Sequence, residues 1–359
     1  MPPVSQVPAK RGVLLGAWGH FGEVLAEMDA SGGALALAGI AAVREEDGDV
    51  PASRVAAEHP CAAGARVGGA PGALLRELEP DFAVVSARPD RIAALAALAA
   101  AHGCHVVAEK PLALDLAALS SLFSAVSGAG VLLCPMLPGR ARPALAAAVA
   151  AIRGGAIGRP ALLSARKTYK WGLSRPAWFS DRSAYGGTIP WIGIHALDFI
   201  DAATGGDPVR EVSAFHANLA HPEAPGCEDA CVLSMRLRSG ALAAATLDFL
   251  RPESPVPHGD DGLRAVGPGG EIEVGIDRGS AVLLAPGAPP RALPLPPVRP
   301  WFAPWLLALP PRGVRAAPDG RTLRAFRLTR EALCAREAAD SGRTVSADLP
   351  RSFQPSSMQ

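Results

Sequence analysis

A chain of 359 residues is long for one hydrophobic core and comfortable for two, so two domains of different architecture are expected. With 49% hydrophobic and 19% charged residues and a formal net charge of +1, it carries no broad basic field for nucleic acid or anionic lipid. The opening MPPVSQVPAKRG has no apolar run, and the Ala-rich stretch at 93–101 stops at His102 and Gly103, so neither a signal peptide nor a membrane span is expected. Cysteines 61, 104, 134, 227, 231 and 334 form no CxxC and no zinc-type spacing with histidine, which implies reduced thiols, no metal and a cytoplasmic protein.

Between Gly12 and Pro135, β-rich runs alternate with Ala/Leu-rich helical stretches, the pattern of a doubly wound parallel α/β sheet. Strands are predicted at 12–16, 36–43, 82–87, 104–109 and 131–135. Helices are predicted at 19–30, 71–78, 90–102 and 115–127, with Asp90 and Asp115 as N-caps and Gly103 as a stop. From residue 136 the rhythm changes. A helix at 142–153, a strand at 160–169 and a helix at 189–204 precede strands at 209–218, 229–238, 241–249, 263–267, 271–276 and 281–285. Hairpin spacing makes these an open, mostly antiparallel sheet in an α+β domain. Residues 286–318 are Pro-rich yet hold Trp301, Phe302 and Trp305, so a loop packed on the domain surface or on a neighbouring subunit is expected. An amphipathic helix at 321–341, packing back near the first domain, closes the chain. The expected division is 1–135 and 136–359.

Gly16, Gly19 and Gly22 lie in LLGAWGHFGE, directly after the first strand and at the opening of a helix. Glycines there let the chain turn tightly and bring backbone N–H groups to a pyrophosphate at the helix N-terminus. The spacing is GxxGxxG rather than GxGxxG, with Trp18 in the place of the second glycine; His20 and Phe21 complete the segment. The second strand runs into AAVREED, where an acidic residue would take the ribose hydroxyls. Arg44 stands there instead and suits a 2′-phosphate, tilting the expectation from NAD towards NADP, whereas Glu45 turning inward would hold NAD. Ser86 and Arg88, at the end of the 82–87 strand, are assigned to the same cofactor.

The strand at 104–109 ends in HVVAEKP, placing Glu109, Lys110 and Pro111 where such sheets bind their ligands. A lysine beside a cationic nicotinamide would have a lowered pKa and could exchange a proton with a substrate hydroxyl. A second constellation, YGGTIPWIGIHALDFI at 185–200, puts His195 and Asp198 near one face of a helix. From residue types alone, the lysine could equally start a surface loop and the histidine could be a hydrogen-bonded core residue.

EKP at a strand end, a Gly-Gly turn, and GxHxxD about eighty residues later resemble the Gfo/Idh/MocA oxidoreductases. The resemblance extends through PDFAVVSARPDRIAALAALAAAHGCHVVAEKPLA, RARPALAAAVAAIRGGAIGRPALLSARKTY and REAADSGRTV. It implies a Rossmann domain joined to an open-faced α/β domain, NAD or NADP as cofactor, and a sugar, cyclitol or related small molecule as substrate. It further implies a homodimer or homotetramer joined through the open sheet. By the same resemblance Lys110 contacts nicotinamide ribose and substrate, Glu109 is its structural neighbour, Lys110–Pro111 is a candidate cis peptide, His195 is the active-site histidine, and Asp198 is structural. The family's DxGxH reads here Trp191-Ile192-Gly193-Ile194-His195, so the usual carboxylate is replaced by an indole that cannot relay a proton but can stack on a ring. Pro138 and Ile92 replace a frequent asparagine and histidine.

In KTYKWGLSRPAWFSDRSAYGG, Tyr169, Arg175, Trp178, Arg182 and Tyr185 mix aromatic and cationic groups, as a site for a polar or anionic ring would, and Trp191 and His195 join them as substrate contacts. The expected reaction is hydride transfer between nicotinamide and a hydroxyl or carbonyl carbon, with Lys110 or His195 moving the proton. The alternatives are a glycosidase using tightly held NAD, and a silent cofactor-binding regulatory paralogue suggested by Trp18 and Trp191.

Overall fold

The structure, a computed structural model, describes residues 9–41, 44, 48–172 and 175–348. The chain runs β1 (Lys10–Leu15), α1 (Phe21–Asp29), β2 (Leu35–Ile40), α2 (Ala52–Glu58), β3 (Arg66–Val67), α3 (Pro71–Leu78), β4 (Phe82–Val85), α4 (Pro89–Ala101), β5 (His105–Ala108), α5 (Leu116–Ala129) and β6 (Leu133–Pro135). These strands form one parallel sheet in the order β3-β2-β1-β4-β5-β6, the doubly wound order in which the chain reverses direction beside β1. Val13–Leu15 of β1, Phe82–Val85 of β4 and Val106–Ala108 of β5 are apolar and buried on both faces, as a sheet covered on both sides requires. Asp90 does not cap α4. Arg88 holds the N-cap position and Pro89 the first helical one, which leaves Asp90 in the first turn, where its charge still favours the helix dipole.

The chain continues through α6 (Pro143–Arg153), β7 (Leu162–Lys170), α7 (Arg182–Tyr185), α8 (Ile194–Thr204), β8 (Val209–Ala217), β9 (Ala230–Leu237), β10 (Leu242–Arg251), β11 (Gly262–Gly267), β12 (Gly270–Gly275), β13 (Ser280–Leu284), β14 (Arg291–Ala292), α9 (Ala303–Leu307), α10 (Gly320–Ser341) and β15 (Val345–Ser346). The second sheet has the order β14-β13-β12-β11-β7-β10-β9-β8-β15. Among the described residues of this sheet only β7 and β10 pair in parallel; the other neighbours are antiparallel. Burial alternates along β7, β9 and β10, so α6 and α8 cover one face while the other stays open.

The chain divides into two compact units: Met1–Ala113 with Ala117–Met136 and Pro300–Ala325, and Leu114–Leu116 with Leu137–Arg299 and Phe326–Gln359. A single division at 135 would place 136–359 in one piece, whereas Pro300–Ala325 packs with the first unit. Phe302, Trp305, Leu306 and Leu309 enter the core of Val24, Leu25, Met28 and Leu37, and the Glu27 carboxylate accepts the backbone N–H groups of Trp301, Phe302 and Ala303 at 2.7–2.8 Å. The Pro-rich segment is thus part of a core and contains a short helix, α9. Helix α10 is not one-faced as expected: residues 331–335 are all buried, Glu331 included.

Candidate active site

In the first unit, β1 ends at Leu15 and the chain turns through Gly16 and Gly19, whose φ angles of +81° and +92° belong to glycine. Both are also spatially required. A Cβ on Gly16 would lie 2.6 Å from the Ser86 carbonyl, and one on Gly19 would lie 2.5 Å from Glu109 Oε2. Gly22, inside α1, has open space around it. Ser86 is fully buried and anchors the turn: its carbonyl accepts the Trp18 N–H at 3.0 Å, and its hydroxyl donates to the Trp18 carbonyl. Phe21 packs into the core, so its backbone rather than its ring faces the turn. Among the described residues, the backbone N–H groups of Gly19, Phe21 and Gly22 have no acceptor within the protein. A glycine turn with open donors at a helix N-terminus fits a dinucleotide pyrophosphate.

Glu109 and Lys110 follow β5. Lys110 is 2% exposed, and its bond to Pro111 is cis. The fully buried Glu109 accepts the His20 backbone N–H at 2.7 Å and the Lys110 N–H at 3.0 Å, pairs with His20 Nδ1 at 2.9 Å, and lies 3.8 Å from Lys110 Nζ. Burial pushes the Glu109 carboxyl up, but the charge and hydrogen bonds of His20, joined by the Lys110 charge, outweigh it and bring the pKa down to about 2. Arg44, beyond β2, is exposed, and its N–H donates to Asp49 at 3.0 Å; Glu45 lies outside the described residues. Arg88 forks onto Asp90 with two bonds of 2.7 Å, so its charge is already matched.

In the second unit, Gly186 and Gly187, with φ of +85° and +100°, turn the chain into a π-helical segment at 189–193 that runs directly into α8. His195 is 6% exposed. Asp198 is held by Arg140, whose Nε donates to Oδ1 at 2.8 Å; Arg140 also pairs with Asp201, which a second guanidinium, Arg327, meets. Burial raises the Asp201 carboxyl, but the two arginines hold it below the usual carboxylate range. This buried network gives Asp198 a structural task.

Trp191 is 7% exposed and belongs to an aromatic cluster. Its ring meets Trp178 and Phe179 edge-on at 6.5 and 6.2 Å, and Tyr185 lies 6.2 Å away. Tyr185 is fully enclosed and its hydroxyl pairs with Thr188 Oγ1 at 3.0 Å, so it builds the cluster rather than meeting a ligand. Arg182 pairs with Glu228 and, at 2.7 Å, with Asp340. Arg175 lies between Phe249, Trp171 and Phe179, and Tyr169 stacks on His258 at 4.7 Å. Sequence reasoning missed Lys167, which is buried, lies 4.3 Å from the centre of the Tyr169 ring and pairs with Asp261, itself pushed up by burial. Its signal was the inward alternation of β7, which places a lysine where an apolar residue belongs.

Two family models match the chain: the oxidoreductase family NAD-binding Rossmann fold over residues 10–136, and the GFO/IDH/MocA C-terminal domain over residues 145–280. No curated protein matched it. Among solved structures, a Thermotoga maritima protein provisionally described as an oxidoreductase superposes with a TM-score of 0.80 at 26% identity, over 94% of this chain and 99% of its own. Aldose-aldose oxidoreductase from Caulobacter crescentus, complexed with glycerol, gives 0.77 at 20% identity over 94% and 99%. An oxidoreductase from Agrobacterium radiobacter, in complex with NAD+, L-tartaric acid and magnesium, gives 0.71 at 20% over 94% and 98%. The chain belongs to the Gfo/Idh/MocA family and is an oxidoreductase of the dehydrogenase/reductase kind, built on an NAD-binding Rossmann unit.

Proposed function

We propose that the protein interconverts a hydroxyl and a carbonyl on a sugar, cyclitol or related polyhydroxy molecule with a bound nicotinamide dinucleotide. The observation that carries the reading is the glycine turn after β1, where the amides of Gly19, Phe21 and Gly22 stand without acceptors at the start of α1. The bound nicotinamide supplies or takes the hydride. Lys110, buried beside the Glu109 carboxylate, and His195, buried on α8, are assigned to hold and move the proton. Trp191, enclosed by rings, has a packing role in place of the carboxylate that other family members carry there. The glycerol and L-tartaric acid bound by two of the similar structures support a small polyhydroxy substrate.

Arg44, exposed beyond β2, favours NADP over NAD. A fluorescence and calorimetric titration with NADH and NADPH tests both points. Tighter NADPH binding that reverses in Arg44→Ala is the expected result; failure of both nucleotides to bind removes the dehydrogenase reading. Six free, buried cysteines support a reducing, cytoplasmic setting. The open sheet face carries Phe215, Val232, Leu242 and Leu162, exposed at 74, 49, 48 and 45%, with Phe215 opposite Val232 and Leu242 opposite Leu162. Such a patch supports a dimer or tetramer of identical chains joined through this sheet. Phe215→Asp should then shift the mass measured by light scattering to that of a smaller assembly.

A further inference from the structure

Among the described residues, Arg175 is a cation without a counter-charge. Its guanidinium carbon lies 4.1 Å from the centre of the Phe249 ring, 4.4 Å from Trp171 and 4.8 Å from Phe179. Nε donates to the Trp171 carbonyl at 2.7 Å and Nη2 reaches the Lys170 carbonyl at 3.4 Å. Among the described residues no carboxylate lies within ion-pair distance of it, and Nη1 has no acceptor. In the same unit Arg140, Arg327 and Arg182 each engage two carboxylates. Burial pulls the Arg175 pKa down, and the acidic groups working against that are the Tyr185 phenol and the Cys227 thiol, both pushed up by burial and therefore uncharged at neutral pH.

Lys170, at the end of β7, repeats the situation. Its Nζ donates to the Ser254 carbonyl at 2.7 Å, a neutral partner. The nearby carboxylate, Glu253, accepts the Gly172 N–H at 2.9 Å. His258, stacked on Tyr169, registers the resulting field: burial lowers its pKa first, Arg175, Lys167 and Lys170 lower it further, and Glu253 works against them without reversing the direction. Aromatic faces attract a guanidinium and strip its water but cannot neutralise it, and a desolvated cation without a partner is costly. An anion that brings two oxygens in one plane would supply what is missing, because a guanidinium fork binds such groups through paired, charge-assisted hydrogen bonds.

We propose that Arg175, with Lys170, binds the anionic group of the substrate, so that the polyhydroxy compound turned over is an acid: a sugar carboxylate or a sugar phosphate. The polyol part of this statement rests on the function proposed above; the anion part rests on the second unit alone. Isothermal titration of the whole protein with D-glucuronate, D-galacturonate, D-gluconate and D-glucose 6-phosphate, each against its neutral parent hexose or hexitol, tests it. The carboxylate and phosphate arms tell the two sources apart. At least one acid should bind tenfold or more tightly than its parent, weaken with added salt, and lose at least tenfold in Arg175→Gln while keeping part of its affinity in Arg175→Lys. Lys170→Gln, expected to lose about threefold to tenfold, serves if Arg175→Gln does not fold, as judged by circular dichroism and NADH binding. Neutral parents binding as well as the acids, no acid binding at all, or full affinity in both glutamine variants would overturn the proposal. Acid binding without nucleotide binding would remove the dehydrogenase reading and leave this one standing.

Discussion

The carboxylate of Glu109, beyond the end of β5, accepts the backbone N–H of His20 at 2.7 Å and fills the place a Cβ on Gly19 would take. Two strands of the sheet are thereby tied through one side chain to the turn that opens α1. Gly19→Ala must adopt a φ of +92° and displace that carboxylate, so it should cost about 1–3 kcal/mol and weaken nucleotide binding more than tenfold. Urea unfolding and an NADH titration of the same sample check the two effects.

The depressed Glu109 pKa has a definite sign in the pH dependence of stability. Its folded value of about 2 lies below the ordinary 4.5, so its contribution is fully present above pH 4.5 and is lost as pH falls from there towards 2. The amount lost is at most about 3.5 kcal/mol, at about 1.36 kcal/mol per unit. Glu109→Gln should be less stable at pH 7 and show a shallower acid slope. Unfolding curves at pH 7, 5, 4 and 3 measure this; parallel slopes for the two proteins would remove the assignment.

Arg140 should be a stability residue. Replacing it with Met leaves Asp198, which is 1% exposed, without this guanidinium and leaves Asp201 with Arg327 alone, at a cost of about 3–5 kcal/mol. Arg140→Lys, which keeps the charge but not the fork, should lose less. A midpoint in urea unchanged by Arg140→Met would show the network to be inconsequential.

Restoring the family's carboxylate by Trp191→Asp should not restore ordinary chemistry. The substitution removes ring contacts to Trp178, Phe179 and Tyr185 and puts a charge in their midst, costing about 3–5 kcal/mol. Calorimetry should show a melting point lowered by several degrees; an unchanged one together with higher turnover would mean that Trp191 merely occupies a vacant catalytic position.

All six cysteines are free and buried, and burial pushes Cys104, Cys134 and Cys227 up to about 11. A thiol-specific chromogenic reagent at pH 8 should therefore modify almost none of them in minutes, and all of them in denaturant.

The parts of the fold that were legible in the sequence are those written in local patterns. Apolar runs gave the longer strands of both sheets within a few residues but not the two-residue β3, β14 and β15, and the glycine turn, EKP and the helix carrying His195 stand where adjacent residue types placed them. Helix α2, seven residues of mixed composition, carries too weak a period to read. What stayed hidden depends on residues far apart in the chain. Glu109 and His20 are separated by 89 positions, Lys167 and Asp261 by 94, and Glu27 and Trp301 by 274. Arg182 looked free to meet ligands because its carboxylates, Glu228 and Asp340, stand 46 and 158 positions away, whereas Asp90, the partner of Arg88, is a near neighbour in sequence that reads as a helix cap instead.

The packing of Phe302, Trp305 and Leu306 against α1 means that the first unit, begun first, cannot be completed until most of the second has been synthesised. At about 5–20 residues per second, a ribosome that has finished β6 works for roughly 10–40 s before Pro300–Ala325 emerges. Through that interval Val24, Met28 and Leu37 lack their apolar cover and the Glu27 carboxylate lacks its three amide donors. The nascent chain therefore offers chaperones a defined window, and any transplant of this nucleotide module into another protein has to carry both of its separated pieces.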